Sequence, residues 1–193
     1  MSEVSLPSSQ KEKASEALVL DRTEIQAAIQ SLADAIFKRH GETLSRLILV
    51  GIPTRGVEVA RRVLDDLSKK NVSHVPELGI LDISMHRDDL ATRAKITAIK
   101  PTELPLNMDG RIVVIVDDVA FTGRTCRAAM DAIQSFGRPS RIEFAVLVDR
   151  GHRELPICPT YIGRKLETEA TQRIRVRFEN LDGISDSVYL LSA

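Results

Sequence analysis

Val113-Val114-Ile115-Val116-Asp117-Asp118-Val119-Ala120-Phe121-Thr122-Gly123-Arg124-Thr125 runs from an unbroken apolar segment into two adjacent carboxylates and then into a turn. The β-branched run predicts a strand over Ile112–Val116 that is buried on both faces, as strands of parallel sheets are. The Thr122-Gly123 pair predicts a loop opening a helix over Thr122–Phe136, closed by Gly137. Open α/β sheets bind ligands at this carboxyl edge. Backbone N–H groups of such a turn converge, with the positive end of a helix dipole behind them, and the Thr122 and Thr125 hydroxyls stand beside them; that suits a phosphate. Asp117 and Asp118 only accept hydrogen bonds when ionised, so they suit a diol such as a ribose. Each piece alone is a common capping device; in succession they form a loop built for a sugar phosphate. The chain has no GxxxxGK[ST] loop and no strand-linked GxGxxG, which argues against nucleoside triphosphate hydrolysis and dinucleotide binding.

The pattern repeats outward. Leu47-Ile48-Leu49-Val50 is followed by Gly51-Ile52-Pro53-Thr54-Arg55-Gly56 and then by Val57, Ala60, Leu64 and Leu67 on one helical face: a second strand, loop and helix. Leu78–Ile83 and Ile142–Val148 predict further strands. Asp21 and Glu24 form a capping pair ahead of Ile25, Ile29, Leu32 and Ile36, which predicts an amphipathic helix ending at Gly41. Strands alternating with helices predict an α/β fold, a mostly parallel central sheet with helices on both faces. Asp88–Asp109 has two prolines and no sustained period, and reads as a long lid-like loop. Beyond Asp149 the elements shorten, with two-residue alternation in Ile174–Phe178. Residues 1–17 are rich in Ser, Glu and Lys without a hydrophobic period and read as a disordered arm, leaving 18–193 as one domain.

The 193 residues carry 27 basic and 27 acidic side chains, so the formal charge is zero. That excludes a chain built mainly to coat nucleic acid or an anionic membrane. At 43% hydrophobic and 28% charged the chain reads as globular, and no apolar run spans a bilayer. The start lacks a secretory signal core, which predicts a cytoplasmic location. Cys126 and Cys158 form no CxxC pair and read as reduced thiols, Cys126 on the apolar helical face with Ala129, Met130 and Ile133.

Val113–Thr125 resembles the phosphoribosyl pyrophosphate motif of type I phosphoribosyltransferases. With Gly51–Gly56, Leu81–Leu90, Gly123–Ala132 and Leu147–Pro156, the chain from about Leu20 onward is similar to the PyrR family of bifunctional pyrimidine operon attenuators and uracil phosphoribosyltransferases. The resemblance implies the type I fold with a small hood over the central sheet. It implies transfer from phosphoribosyl pyrophosphate to uracil with magnesium, giving UMP and pyrophosphate. A homodimer or tetramer and binding to pyr mRNA are implied as well.

In that reading Thr54, Arg55 and Gly56 hold the pyrophosphate through backbone N–H groups and a guanidinium. Arg87, Asp88 and Asp89 open the lid, with Arg87 meeting the same group. Asp117 and Asp118 orient the ribose and its magnesium, which needs few direct protein ligands. Val119, Ala120, Phe121, Thr122, Gly123, Arg124 and Thr125 complete the substrate loop. Asp117, Asp118, Arg55 and Arg87 are the expected catalytic residues. Arg150 is expected to shape the base pocket, and His152 and Arg153 to face RNA. Similar transferases carry a cis peptide in the pyrophosphate loop, expected here at Ile52-Pro53.

Two rival functions stand beside this one. A purine transferase shares the loop, but the purine enzymes place a carboxylate just before the Thr-Gly pair where this chain has Phe121. An RNA-binding attenuator with weak or lost catalysis is the other. Against it, the first helix around Gln30, Ser31 and Asp34 is not basic, and Cys158 stands where the family usually has arginine. His86 replaces a usual tyrosine, and a lysine pair after Leu90 is absent.

Overall fold

The computed structural model describes residues 15–70, 72–86 and 101–192. The expected lid residues Arg87, Asp88 and Asp89 lie outside them. Helix α1, Arg22–His40, begins as its sequence predicts: Asp21 accepts from Glu24 N at 2.9 Å, and Glu24 accepts from Asp21 N at 3.0 Å. Each bond satisfies an amide that the helix start would otherwise orphan.

The central sheet holds β2 (Leu47–Gly51), β3 (Glu77–Ile80), β4 (Ile112–Ala120), β5 (Arg141–Asp149) and β6 (Tyr161–Lys165). It is wholly parallel, in the order β3-β2-β4-β5-β6. The predicted strand Leu78–Ile83 ends earlier, at Ile80. Helices α1 and α2 (Arg55–Ser68) cover one face, packing Ile29, Leu32, Val59 and Val63 on Leu49, Val114, Val116 and Leu147. Helix α3 (Arg124–Ile133) covers the other, with Cys126, Ala129 and Ile133 against Val50, Val113, Ile115 and Val146. Strand residues of opposite parity thus feed separate cores, which is why these runs are apolar throughout. Fully burying each such aliphatic side chain stabilises the fold by about 1.5–3 kcal/mol.

A second, antiparallel sheet in the order β1-β8-β7 forms the hood, from β1 (Ser15–Leu20), β7 (Arg173–Arg177) and β8 (Ser187–Ser192), with the short helix α4 (Glu179–Asp182) between the last two. Leu20, Val176, Phe178 and Val188 join it to the α1/α2 core. The arm expected over residues 1–17 does not include residues 15–17, and its remainder lies outside the described residues; residues 15–17 are strand because Ser15, Glu16 and Ala17 pair with Ser192, Leu191 and Leu190. Such long-range pairing leaves no periodic trace in so short a segment.

Near the amino end of β5, Glu143 is buried among His40 and Tyr161. Its Oε2 lies 2.8 Å from His40 Nε2 and accepts the Tyr161 hydroxyl at 2.5 Å, while Arg39 Nε stands 3.0 Å from Oε1. Burial alone would raise this carboxyl, but the Tyr161 and His40 contacts prevail and hold it below the usual range. Burial and the same contact push the Tyr161 hydroxyl up.

Candidate functional site

Strand β4 runs further than its apolar run suggests. Its pairing with β5 continues through Asp117↔Val146, Val119↔Val148 and Ala120↔Asp149, so both carboxylates sit within the strand at the sheet's carboxyl edge. Asp117 is buried and Asp118 half-buried. Burial raises the Asp118 carboxyl above its ordinary value, against the lowering effects of Asp117, Arg55 and the Val119 amide. Arg55, the first residue of α2, thus acts on the Asp118 carboxyl from the neighbouring loop.

The two loops meet closely. A Cβ on Gly56 would lie 2.5 Å from Val116 O and 3.0 Å from Asp117 Cα, so only glycine lets α2 start against β4. Ile52 N donates to Val116 O at 3.0 Å and fixes the same approach. The cis peptide of this loop is Pro53-Thr54, not Ile52-Pro53 as expected.

Helix α3 begins at Arg124 instead of Thr122, because Gly123 takes the left-handed conformation, φ 93°, that precedes it. Arg124 N reaches Thr122 Oγ1 at 3.3 Å, and Thr122 O accepts from Glu154 N and Leu155 N at 3.0 Å each. The turn encloses a cavity of about 330 Å³, lined by every residue from Val119 to Cys126 together with Phe144 and Glu154. Arg124 pairs with Glu154 at the cavity at 2.8 Å. The Val119–Thr125 loop therefore borders a formed concavity. In its wall, burial pushes the Cys126 thiol up to about 12, so it is a packing residue and not a nucleophile.

A second cavity of about 380 Å³ lies beyond β5 and β6, lined by Asp149–His152 and Lys165–Thr168. Arg150 shapes its wall from within: the buried guanidinium lies 4.1 Å over the Phe121 ring and donates to Glu169 O at 2.9 Å and Thr168 Oγ1 at 3.3 Å. Phe121 thus joins the Val119–Thr125 loop to the loop after β5 through a cation–π contact. His152 adopts φ 56° and sets its Nε2 2.7 Å from Thr168 O; since a carbonyl only accepts, that nitrogen carries the proton. Arg153 is committed internally, donating to Asp149 Oδ1, Phe121 O, Gly151 O and Ile157 O. Of the two residues expected to face RNA, only His152 is exposed. The acidic Asp34 on α1 is paired with Lys70.

Among the described residues no group of three His, Cys, Asp or Glu is gathered to hold a metal ion alone. Asp117 and Asp118 are a hard oxygen donor pair, which fits a cation that brings most of its ligands as water and substrate oxygens.

A parallel sheet with an antiparallel hood, a carboxylate pair at its carboxyl edge and a glycine turn opening a helix beside it define the type I phosphoribosyltransferase fold. The phosphoribosyl transferase domain profile matches residues 21–179. The chain belongs to the PyrR family: it is 44% identical over 172 residues to the bifunctional protein PyrR of Chloroflexus aurantiacus, covering 89% of this chain and 93% of that one. It is also 44% identical over 177 residues to that of Pelotomaculum thermopropionicum, covering 92% and 97%. Among solved structures, the hypoxanthine phosphoribosyltransferase of Trypanosoma cruzi shares the fold with a TM-score of 0.68 at 17% identity, over 91% of this chain and 95% of that one. The Staphylococcus aureus hypoxanthine enzyme does so at 0.65 and 18%, over 89% and 90%.

Residues 58, 62, 180, 182 and 186 were not among those expected at the site, yet they clamp the pyrophosphate-loop helix to the hood. Arg55, Glu58 and Arg62 share one side of α2, the only hint in the sequence; their partners lie in a distant segment.

Proposed function

We propose that the chain transfers the phosphoribosyl group of phosphoribosyl pyrophosphate to uracil, releasing pyrophosphate and UMP, and that, as a PyrR-family member, it also regulates pyrimidine gene expression by binding pyr mRNA. The carrying observation is the Val119–Thr125 cavity joined through Phe121 to the Arg150 pocket. Thr122, Gly123 and Thr125 bind the ribose 5-phosphate, and Asp117 and Asp118 orient the ribose hydroxyls. Arg55 and the Gly56 amide offset charge gathering on the pyrophosphate as its bond to the ribose carbon breaks. A uracil ring nitrogen takes that carbon and loses its proton. Magnesium, when bound with the diphosphate, supplies further charge neutralisation. Phe121, with no carboxylate to offer, favours a pyrimidine over a purine. The assembly is proposed to be a homodimer or tetramer.

Product formation with uracil, hypoxanthine or orotate as acceptor, with and without magnesium, tests the reading. Turnover with uracil and magnesium alone supports it; turnover with hypoxanthine overturns it, and no turnover at all leaves a binding protein. Thr125→Val keeps the side-chain volume and deletes a hydroxyl from the cavity. Calorimetric titration with phosphoribosyl pyrophosphate is expected to show a loss of about 1–2 kcal/mol, the worth of a hydrogen bond to a charged group.

A further inference from the structure

Helix α2 starts in the pyrophosphate loop and carries Arg55, Glu58 and Arg62 toward the hood. Arg62 pairs with Glu58 at 2.7 Å and with Asp186, and its guanidinium lies 4.6 Å over the Phe178 ring. Asn180 Nδ2 donates to Glu58 Oε2 at 2.7 Å, and Asp186 Oδ1 accepts from Glu179 N at 2.8 Å. This network makes the hood segment around α4 a rigid neighbour of α2.

Arg55 extends the row toward the substrate. Its Nη2 donates to Asp182 Oδ1 at 2.7 Å. Asp182 is held in turn, since its Oδ2 accepts from Phe178 N at 2.9 Å. Asp182 engages one guanidinium nitrogen only, and Arg55 Nε is buried with no hydrogen-bond partner. Nε is closed off, yet the Arg55 side chain as a whole is 35% exposed, so the guanidinium held by Asp182 still offers surface to a ligand oxygen. A free arginine samples many rotamers, and a fixed carboxylate across the crevice selects one of them.

We propose that Asp182 is a positioning residue for the transfer, holding the Arg55 guanidinium beside the pyrophosphate loop so that it meets an oxygen of the diphosphate. The proposal rests on the phosphoribosyltransferase reading above. Binding of inorganic pyrophosphate to the full chain, with magnesium present, tests it without need of uracil turnover. Asp182→Ala is expected to weaken that binding about 10-fold, as for loss of one well-placed charged hydrogen bond. KM for phosphoribosyl pyrophosphate rises in step, while KM for uracil stays within about 2-fold. In an Arg55→Ala background, Asp182→Ala is expected to add nothing, which separates positioning from a general structural role. Asp182→Asn, which keeps the side-chain shape, serves where the alanine variant does not fold, and is expected to weaken binding in the same direction. Unchanged pyrophosphate affinity, or an equal loss in both backgrounds, overturns the proposal. Absence of uracil turnover in the unmodified chain, with the pyrophosphate effect intact, overturns the uracil reading alone.

Discussion

Asp118→Asn is expected to lower kcat/KM for uracil transfer by about 10²–10³-fold, the scale seen when one preorganised electrostatic contact to a transition state is removed. The same variant is expected to melt at a higher temperature at neutral pH. Burial raises the folded-state pKa of Asp118 above the ordinary carboxyl value. In the unfolded chain the group ionises near that value, while the folded chain keeps its proton to a higher pH. Between the two values the folded state binds more protons, so its stability falls as pH rises, and above the folded pKa the penalty is complete. The uncharged amide escapes it. The melting advantage of Asp118→Asn therefore opens as pH climbs through the acid range and vanishes below about pH 4. Parallel activity and thermal denaturation series check both halves. A variant that loses activity by unfolding would show that the carboxylate is structural. Asp117→Asn is likewise expected to impair transfer with the fold intact.

Glu143→Ala is expected to leave the site's chemistry alone and to destabilise the fold by about 3–5 kcal/mol, the usual cost of removing one partner from a buried charged cluster. The Tyr161 hydroxyl and the His40 ring would both lose their buried acceptor. For a chain of this size that corresponds to a fall in Tm of about 10 °C. Because the folded-state pKa of Glu143 is lowered from 4.5, its stabilisation is present above that value and is lost as pH falls through the folded pKa. The gap between the two proteins should therefore narrow in acid. An unchanged Tm at pH 7 would show that the cluster contributes nothing.

The parts of the fold written in local periodicity were legible. The Asp21/Glu24 box, the all-apolar strands and the small face of α3 each follow from chemistry within a few residues. What escaped depends on distant partners. Asp117 and Asp118 are poor strand formers by composition, yet the β5 ladder carries them. Residues 15–17 are strand only because β8 lies beside them. The same holds for the site. The Thr122–Thr125 turn was readable because one short segment contains its whole geometry. Arg153 reads as outward-facing because no regular spacing shows the chain from Asp149 to Ile157 folding back on its guanidinium, with Phe121 O as the one distant acceptor. Asp182 carries no signal in the sequence because its partner Arg55 lies 127 residues away, beyond any spacing rule.

The pairing of β1 with β8 bears on how the molecule is made. A ribosome delivers β1 first and β8 last, so the hood's earliest strand waits for its partner while the whole parallel sheet is synthesised. Closing so long a loop is entropically slow, and a waiting edge strand is open to foreign pairing. The sheet and its helices are thus able to form before the hood, and the Asp182 contact with Arg55 is completed only when α4 has left the ribosome. A nascent chain stalled short of α4 would carry the Thr122–Thr125 turn without the Asp182 carboxylate that pairs with Arg55.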